Sequence, residues 1–182
     1  MRRQRIFLGL SVLVAAPLLG AAGFALAGSM SAATKTYVLK ANLGPSHETP
    51  AVKNAVGATG VFSAKFTVSG GKGTLSWKLT FHNLTGPAFA AHVHLGAAGK
   101  PGPVVISLCG PCRSGAHGVS SVKTSSAVGK ALLNRRAYAN VHTKKHPNGE
   151  IRGQIRVTGT TTKPVTTSAA STTAPTYTYE MP

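Results

Sequence analysis

Two short stretches place histidine at regular intervals. In Ala90-Ala91-His92-Val93-His94-Leu95 and Tyr138-Ala139-Asn140-Val141-His142-Thr143, polar and apolar residues alternate. Side chains leave a β-strand on opposite faces in turn, so His92 and His94 share a face about 6.5–7 Å apart. His142 meets them if the second stretch is a neighbouring strand, and His117 and His146 are further candidates from loops. Three imidazoles are a donor set for Zn²⁺ or Cu²⁺ that leaves a coordination position open for water or substrate. The alternative role is structural: the rings hydrogen-bond to backbone carbonyls or to Glu150 and tie loops to a sheet.

The same alternation sets Tyr138, Asn140 and His142 against Ala139 and Val141. Further on, it sets Glu150, Arg152, Gln154 and Arg156 against Ile151, Ile155 and Val157. Neighbouring strands of this kind gather His92, His94, Tyr138, Asn140, His142, Glu150 and Arg152 into one polar patch. Glu150 and Arg152 are then expected to pair and to pin Asn148-Gly149 beneath His142.

Cys109-Gly110-Pro111-Cys112 has the spacing of a dithiol redox motif. That chemistry needs its first cysteine at a helix N-terminus, and the Arg113–Gly118 stretch beyond it has no helical pattern. A disulfide is the expected state in an exported chain, stiffening the loop beside the His-x-His strand; metal ligation with His117 and thiol exchange are the alternatives. Other chemistries lack their parts. The chain has no Asp, and its three acids are Glu48, Glu150 and Glu180, which leaves little for a paired-carboxylate mechanism. There is no Gly-x-Ser-x-Gly and no phosphate-cradling glycine loop.

The elements that carry these residues read as strands. Apolar residues alternate over short runs broken by Gly, Pro and Asn, an all-β signature. Strands are expected at 37–43, 60–68, 74–81, 89–95, 104–108, 137–143 and 150–157, with a Ser69–Gly73 hairpin and a short helix within 126–136. The core domain is thus placed at 35–158, as an antiparallel Greek-key β-sandwich.

The ends have another character. Arg2, Arg3 and Arg5 precede an uncharged run from Ile6 to Ala27 that closes on Ala25-Leu26-Ala27. This is the order of a secretory signal, read as residues 1–27, although 22 uncharged residues also suffice to cross a bilayer core of about 30 Å as an uncleaved anchor. Residues 28–34 read as a linker. Residues 159–182, rich in Thr, Ser and Pro, are too poor in large apolar groups to offset their ordering entropy and are expected to be disordered. Loss of the first three arginines leaves 17 cations against three acids, a net charge of about +14. Such a charge favours anionic envelope polymers or a membrane surface. The cations are scattered singly, so no specific nucleic-acid reader is expected.

One longer pattern goes beyond individual residues. Ala90–His94, the Gly99-Lys100-Pro101-Gly102-Pro103 turn, and Tyr138–Thr143 together with His146-Pro147-Asn148-Gly149-Glu150-Ile151-Arg152-Gly153-Gln154 resemble the chordin-type (CHRD) domain. Leu43, Glu48-Thr49-Pro50 and Gly57 extend the resemblance upstream, so that it covers about 37–157. It implies an extracellular β-sandwich without established catalytic residues. Phe89–His94 is also similar to the copper-ligand strand of Cu/Zn superoxide dismutases, but no Asp is present to complete a zinc subsite. The leading expectation is a non-enzymatic exported binding or structural module of the cell envelope. The alternative is a copper or zinc protein using His92, His94 and His142, for metal handling or dismutase-like redox chemistry.

Overall fold

A computed structural model describes residues 32–164. The signal or anchor, most of the linker and the tail from 165 onward lie outside the described residues.

Alternation in the sequence becomes two antiparallel sheets. Strands β1 (Thr34–Leu43), β2 (Thr59–Ser69) and β3 (Lys72–His82) form a meander. The chain then crosses to a second layer for β4 (Ala88–Leu95) and β5 (Val104–Cys109), and returns for β6 (Ala116–Ser121) beside β3. A short helix, α1 (Ala127–Leu133), leads to β7 (Ala137–Thr143) and β8 (His146–Gln154), and β9 (Arg156–Lys163) ends the domain. The sheet orders are β6-β3-β2-β1-β9 and β5-β4-β7-β8. Between the neighbours β3 and β6 of one sheet the chain makes β4 and β5 of the other, a Greek-key connection.

The core lies between the sheets. Leu39, Phe62, Phe66, Leu75 and Leu79 face Val93, Ala139, Val141 and Ile151, all fully buried. Burying a side chain of this size contributes about 1.5–3 kcal/mol, which is why register holds: a one-residue slip would turn the whole apolar set outward. Helix α1 starts where Ser126 accepts a hydrogen bond from the Gly129 amide, an N-cap that fixes its first turn. Cys109 and Cys112 form a disulfide, and the Cys112 amide donates to the Ala88 carbonyl, holding that loop against the start of β4.

Two expectations need correction. Residues 113–118, expected as loop, enter β6, whose Ala116–Ser121 backbone pairs with β3. Gly118 is seated under the Trp77 ring, where a Cβ would collide. Residues 150–157, expected as one strand, are two. Buried Ile155 interrupts the ladder, β8 stays in the four-stranded sheet, and β9 crosses to pair with β1 as far as Lys163. The domain therefore runs past 158 into the Thr-rich segment. Ladder bonds come from the backbone and β-branched threonine fits them, so this edge strand forms without a run of large apolar residues.

Candidate metal centre

The outer face of the four-stranded sheet carries the expected patch in part. In the β4–β7 ladder Ala90 is opposite His142, His92 opposite Asn140, and His94 opposite Tyr138. His92, His94 and His142 meet on one face, each offering a ring nitrogen within 4.8 Å of the others. His92 Nδ1 lies 3.2 Å from His142 Nε2. Two nitrogens on a tetrahedral ion with bonds of about 2.0–2.1 Å stand about 3.3 Å apart. One edge of such a site is therefore already formed, and the His94 nitrogen stands within 4.8 Å of both atoms of that edge.

Tautomer control is built in. His94 Nδ1 donates to the Gly102 carbonyl at 2.9 Å, and His142 Nδ1 donates to the Pro147 carbonyl at 3.0 Å. Each neutral ring therefore keeps its lone pair on Nε2, turned toward the cluster. A hydrogen bond from the far nitrogen is the usual way of orienting a metal-binding imidazole. His94 Nε2 is buried without a hydrogen-bond partner among the described residues. Burial lowers the pKa of all three rings. Repulsion by neighbouring histidines adds to this at His92 and His142, as the Arg152 charge does at His94, while the carbonyl bonds at His94 and His142 partly oppose it. The rings are thereby biased to the neutral, ligating form.

Support comes from residues in the patch and beyond it. Tyr138 stacks on His94, with ring centres 4.9 Å apart and planes at 9°. The Arg152 guanidinium lies 3.5 Å from the centre of the Tyr138 ring, a cation–π contact. Arg152 also donates to the Ala97 and Lys100 carbonyls, and Gln154 to the Gly96 carbonyl. These bonds pin the β4–β5 loop, and that loop delivers the Gly102 carbonyl to His94. The Gly102 amide in turn donates to the Tyr138 hydroxyl. A side chain at Gly102 would overlap the Leu95 carbonyl, so only glycine lets the turn lie this close to β4.

Several expected members are elsewhere. His117 is exposed on β6 in the other sheet, opposite Lys78, and is not in the cluster. His146 begins β8 at the hairpin and is also outside it. Glu150 does not pair with Arg152. The ladder shifts register between Val141 and Thr143, and the Glu150 carboxylate turns to the Thr85 amide (2.6 Å) and the hydroxyls of Thr85 and Thr143 (2.8 and 2.5 Å). Asn140 is buried beside Gly149, close to the Glu48 carboxyl. Phe89, which unbroken alternation would set with Ala91 and Val93 on the core side, is instead 42% exposed with its ring 6.1 Å from His142. A register shift between Ala88 and Ala90 turns it onto the histidine face. Bulges of this kind carry no compositional signal, so alternation alone could not place Phe89 or Glu150.

A search of curated proteins and of solved structures returned no match. A family model described as the CHRD domain matches residues 39–155, which span β1 to the end of β8 and contain all three clustered histidines. The chain belongs to the CHRD domain family.

Proposed function

We propose that the protein is an exported CHRD module that holds a copper or zinc ion on His92, His94 and His142 and acts outside the cytoplasm. The observation that carries the metal is the convergence of three ring nitrogens, with two of the rings committing their N–H to backbone carbonyls on the far side. An all-imidazole donor set suits Zn²⁺ or Cu²⁺ rather than a cation that prefers oxygen. His92 is half-buried and marks the solvent side of the cluster, where a fourth ligand would enter. Export rests on the arginine-flanked apolar N-terminus, and a Cys109–Cys112 disulfide is at home in that compartment.

The test is metal analysis of tag-free protein, with melting curves in Zn²⁺, Cu²⁺ and chelator. One equivalent of either ion is expected, together with a raised melting temperature; saturation at about 100 times Kd adds about 2.7 kcal/mol. His92→Ala, at a half-exposed position, should fold and lose most of the uptake. No uptake by the native protein, or undiminished uptake by the variant, would exclude the site.

A second reading rests on the 3.2 Å approach of His92 to His142. That distance is also a ring-to-ring hydrogen bond, and a metal-free patch of this kind would serve a purely structural or binding module. Redox activity is a separate question: copper-loaded protein and His92→Ala would be compared for superoxide removal, and equal rates would rule dismutase chemistry out.

A further inference from the structure

The histidine cluster leaves a second concavity unexplained. A cleft of about 490 Å³ opens where β8 passes into β9, bounded by β1, the Ser46–Thr49 segment and the Ala98–Gly99 turn. This is within the range of about 300–1,000 Å³ typical of small-molecule sites. None of the clustered histidines lines it.

Its charge is what needs explaining. Lys40 of β1 stands directly opposite Arg156 of β9 in the ladder, both exposed on the cleft side. Like charges at directly opposed positions destabilise an antiparallel pair. Buried Arg152 adds a third cation to the lining. The acid in the lining is Glu48, whose carboxyl burial pushes up to about 7 and so leaves only partly ionised near neutrality. Glu150, the other acid of the domain, is spent on Thr85 and Thr143. Among the described residues, therefore, the three cations of the lining face one partly protonated carboxyl and no other acid. Violations of local design rules of this sort collect at functional sites. Ser46, Thr49 and Thr158 add hydroxyls around the cations, and Thr158 is the extra residue of a β-bulge, since Val38 pairs with Gly159 and Leu39 with Val157.

From these features we infer that the cleft binds an anionic sugar unit. The negative group sits between Lys40 and Arg156, and the ring hydroxyls bond to Ser46, Thr49 and Thr158. The anion relieves the cross-strand repulsion, and the polar rim and the volume select a polyol over a bare inorganic ion. The charge is supplied by a carboxylate, as in a uronic acid, or by a sugar phosphate; both present the same chemistry to the site.

Calorimetric titration of the full chain tests this with four probes: a glucuronic acid oligosaccharide, glucose 6-phosphate, a neutral disaccharide and inorganic phosphate. Binding of the first or the second, and stronger than that of the last two, supports the site and identifies the source of the charge. Lys40→Gln combined with Arg156→Gln should weaken that binding about tenfold or more, as loss of charge-assisted hydrogen bonds does. Both positions are exposed, and the variant should melt no lower than the native protein because a repulsive pair is gone. The proposal is overturned if no anionic sugar binds, if the neutral sugar or phosphate binds equally well, or if the double variant binds like the native chain.

Discussion

The outer faces of the two sheets are both polar in composition and behave in opposite ways. On β3, Thr74, Ser76 and Lys78 alternate with buried Leu75, Trp77 and Leu79, and all three point into solvent. On β7, Tyr138, Asn140 and His142 alternate with buried Ala139 and Val141, yet every residue of the strand is buried. The difference lies in what covers them. The β3 face is open to water, whereas the β4–β5 loop and the β7–β8 hairpin supply carbonyls to His94 and His142. A polar residue taken out of water must be given a partner, so the covered face is a network in which each loop and side chain orients another. On the open face each side chain is solvated on its own.

Breaking the covered side should cost most. Glu150 is fully buried with three donors on its carboxylate, so Glu150→Ala leaves the Thr85 amide and both hydroxyls without their acceptor. A loss of about 3 kcal/mol or more is expected in urea unfolding; a midpoint shift of under a third of that would remove the carboxylate from the framework.

Glu48 gives a smaller effect that depends on pH. Burial raises its pKa from 4.5 to about 7, against the opposing pull of Arg152. Between those values the folded state holds a proton that the unfolded state has released, so this group makes stability fall as pH rises from about 4.5 to 7. Glu48→Gln should remove that slope and leave the variant more stable than the native protein by about 2 kcal/mol above pH 7, discounted for partial solvent access. The clustered histidines, whose pKa values are lowered, contribute with the opposite sign in both proteins, so the difference between the two curves isolates Glu48. Parallel curves would place its titration in the ordinary carboxylate range. At the small end, Lys78→Ala on the open face should change stability by no more than about 0.5 kcal/mol. A larger change there would mean that the two faces are less distinct than their burial implies.

The sequence is a good guide wherever period two is unbroken. The residue order announces β1 to β5, β7 and β8 at least in part, and it announces the shared face of His92, His94 and His142, because alternation is a local property of the chain. It misleads for two physical reasons. At Phe89 the ladder shifts by one residue and beside Glu150 by three; an odd shift exchanges the faces of the residues at the bulge and leaves the composition unchanged. At β6 and β9 the pairing partner is remote in sequence, and backbone hydrogen bonds rather than apolar side chains make the strand.

By itself, then, the sequence determined an all-β domain, the family to which it belongs, and the face on which three histidines stand, since each depends on residue order over short spans. Tertiary structure alone decided which nitrogen of His94 and of His142 looks inward, since that depends on the carbonyls of Gly102 and Pro147 brought up by loops. It also decided that Glu150 serves Thr85 and Thr143 rather than Arg152, and that Lys40 of the first strand faces Arg156 of the last across a ladder. Those outcomes depend on contacts between distant segments, and no local period encodes them.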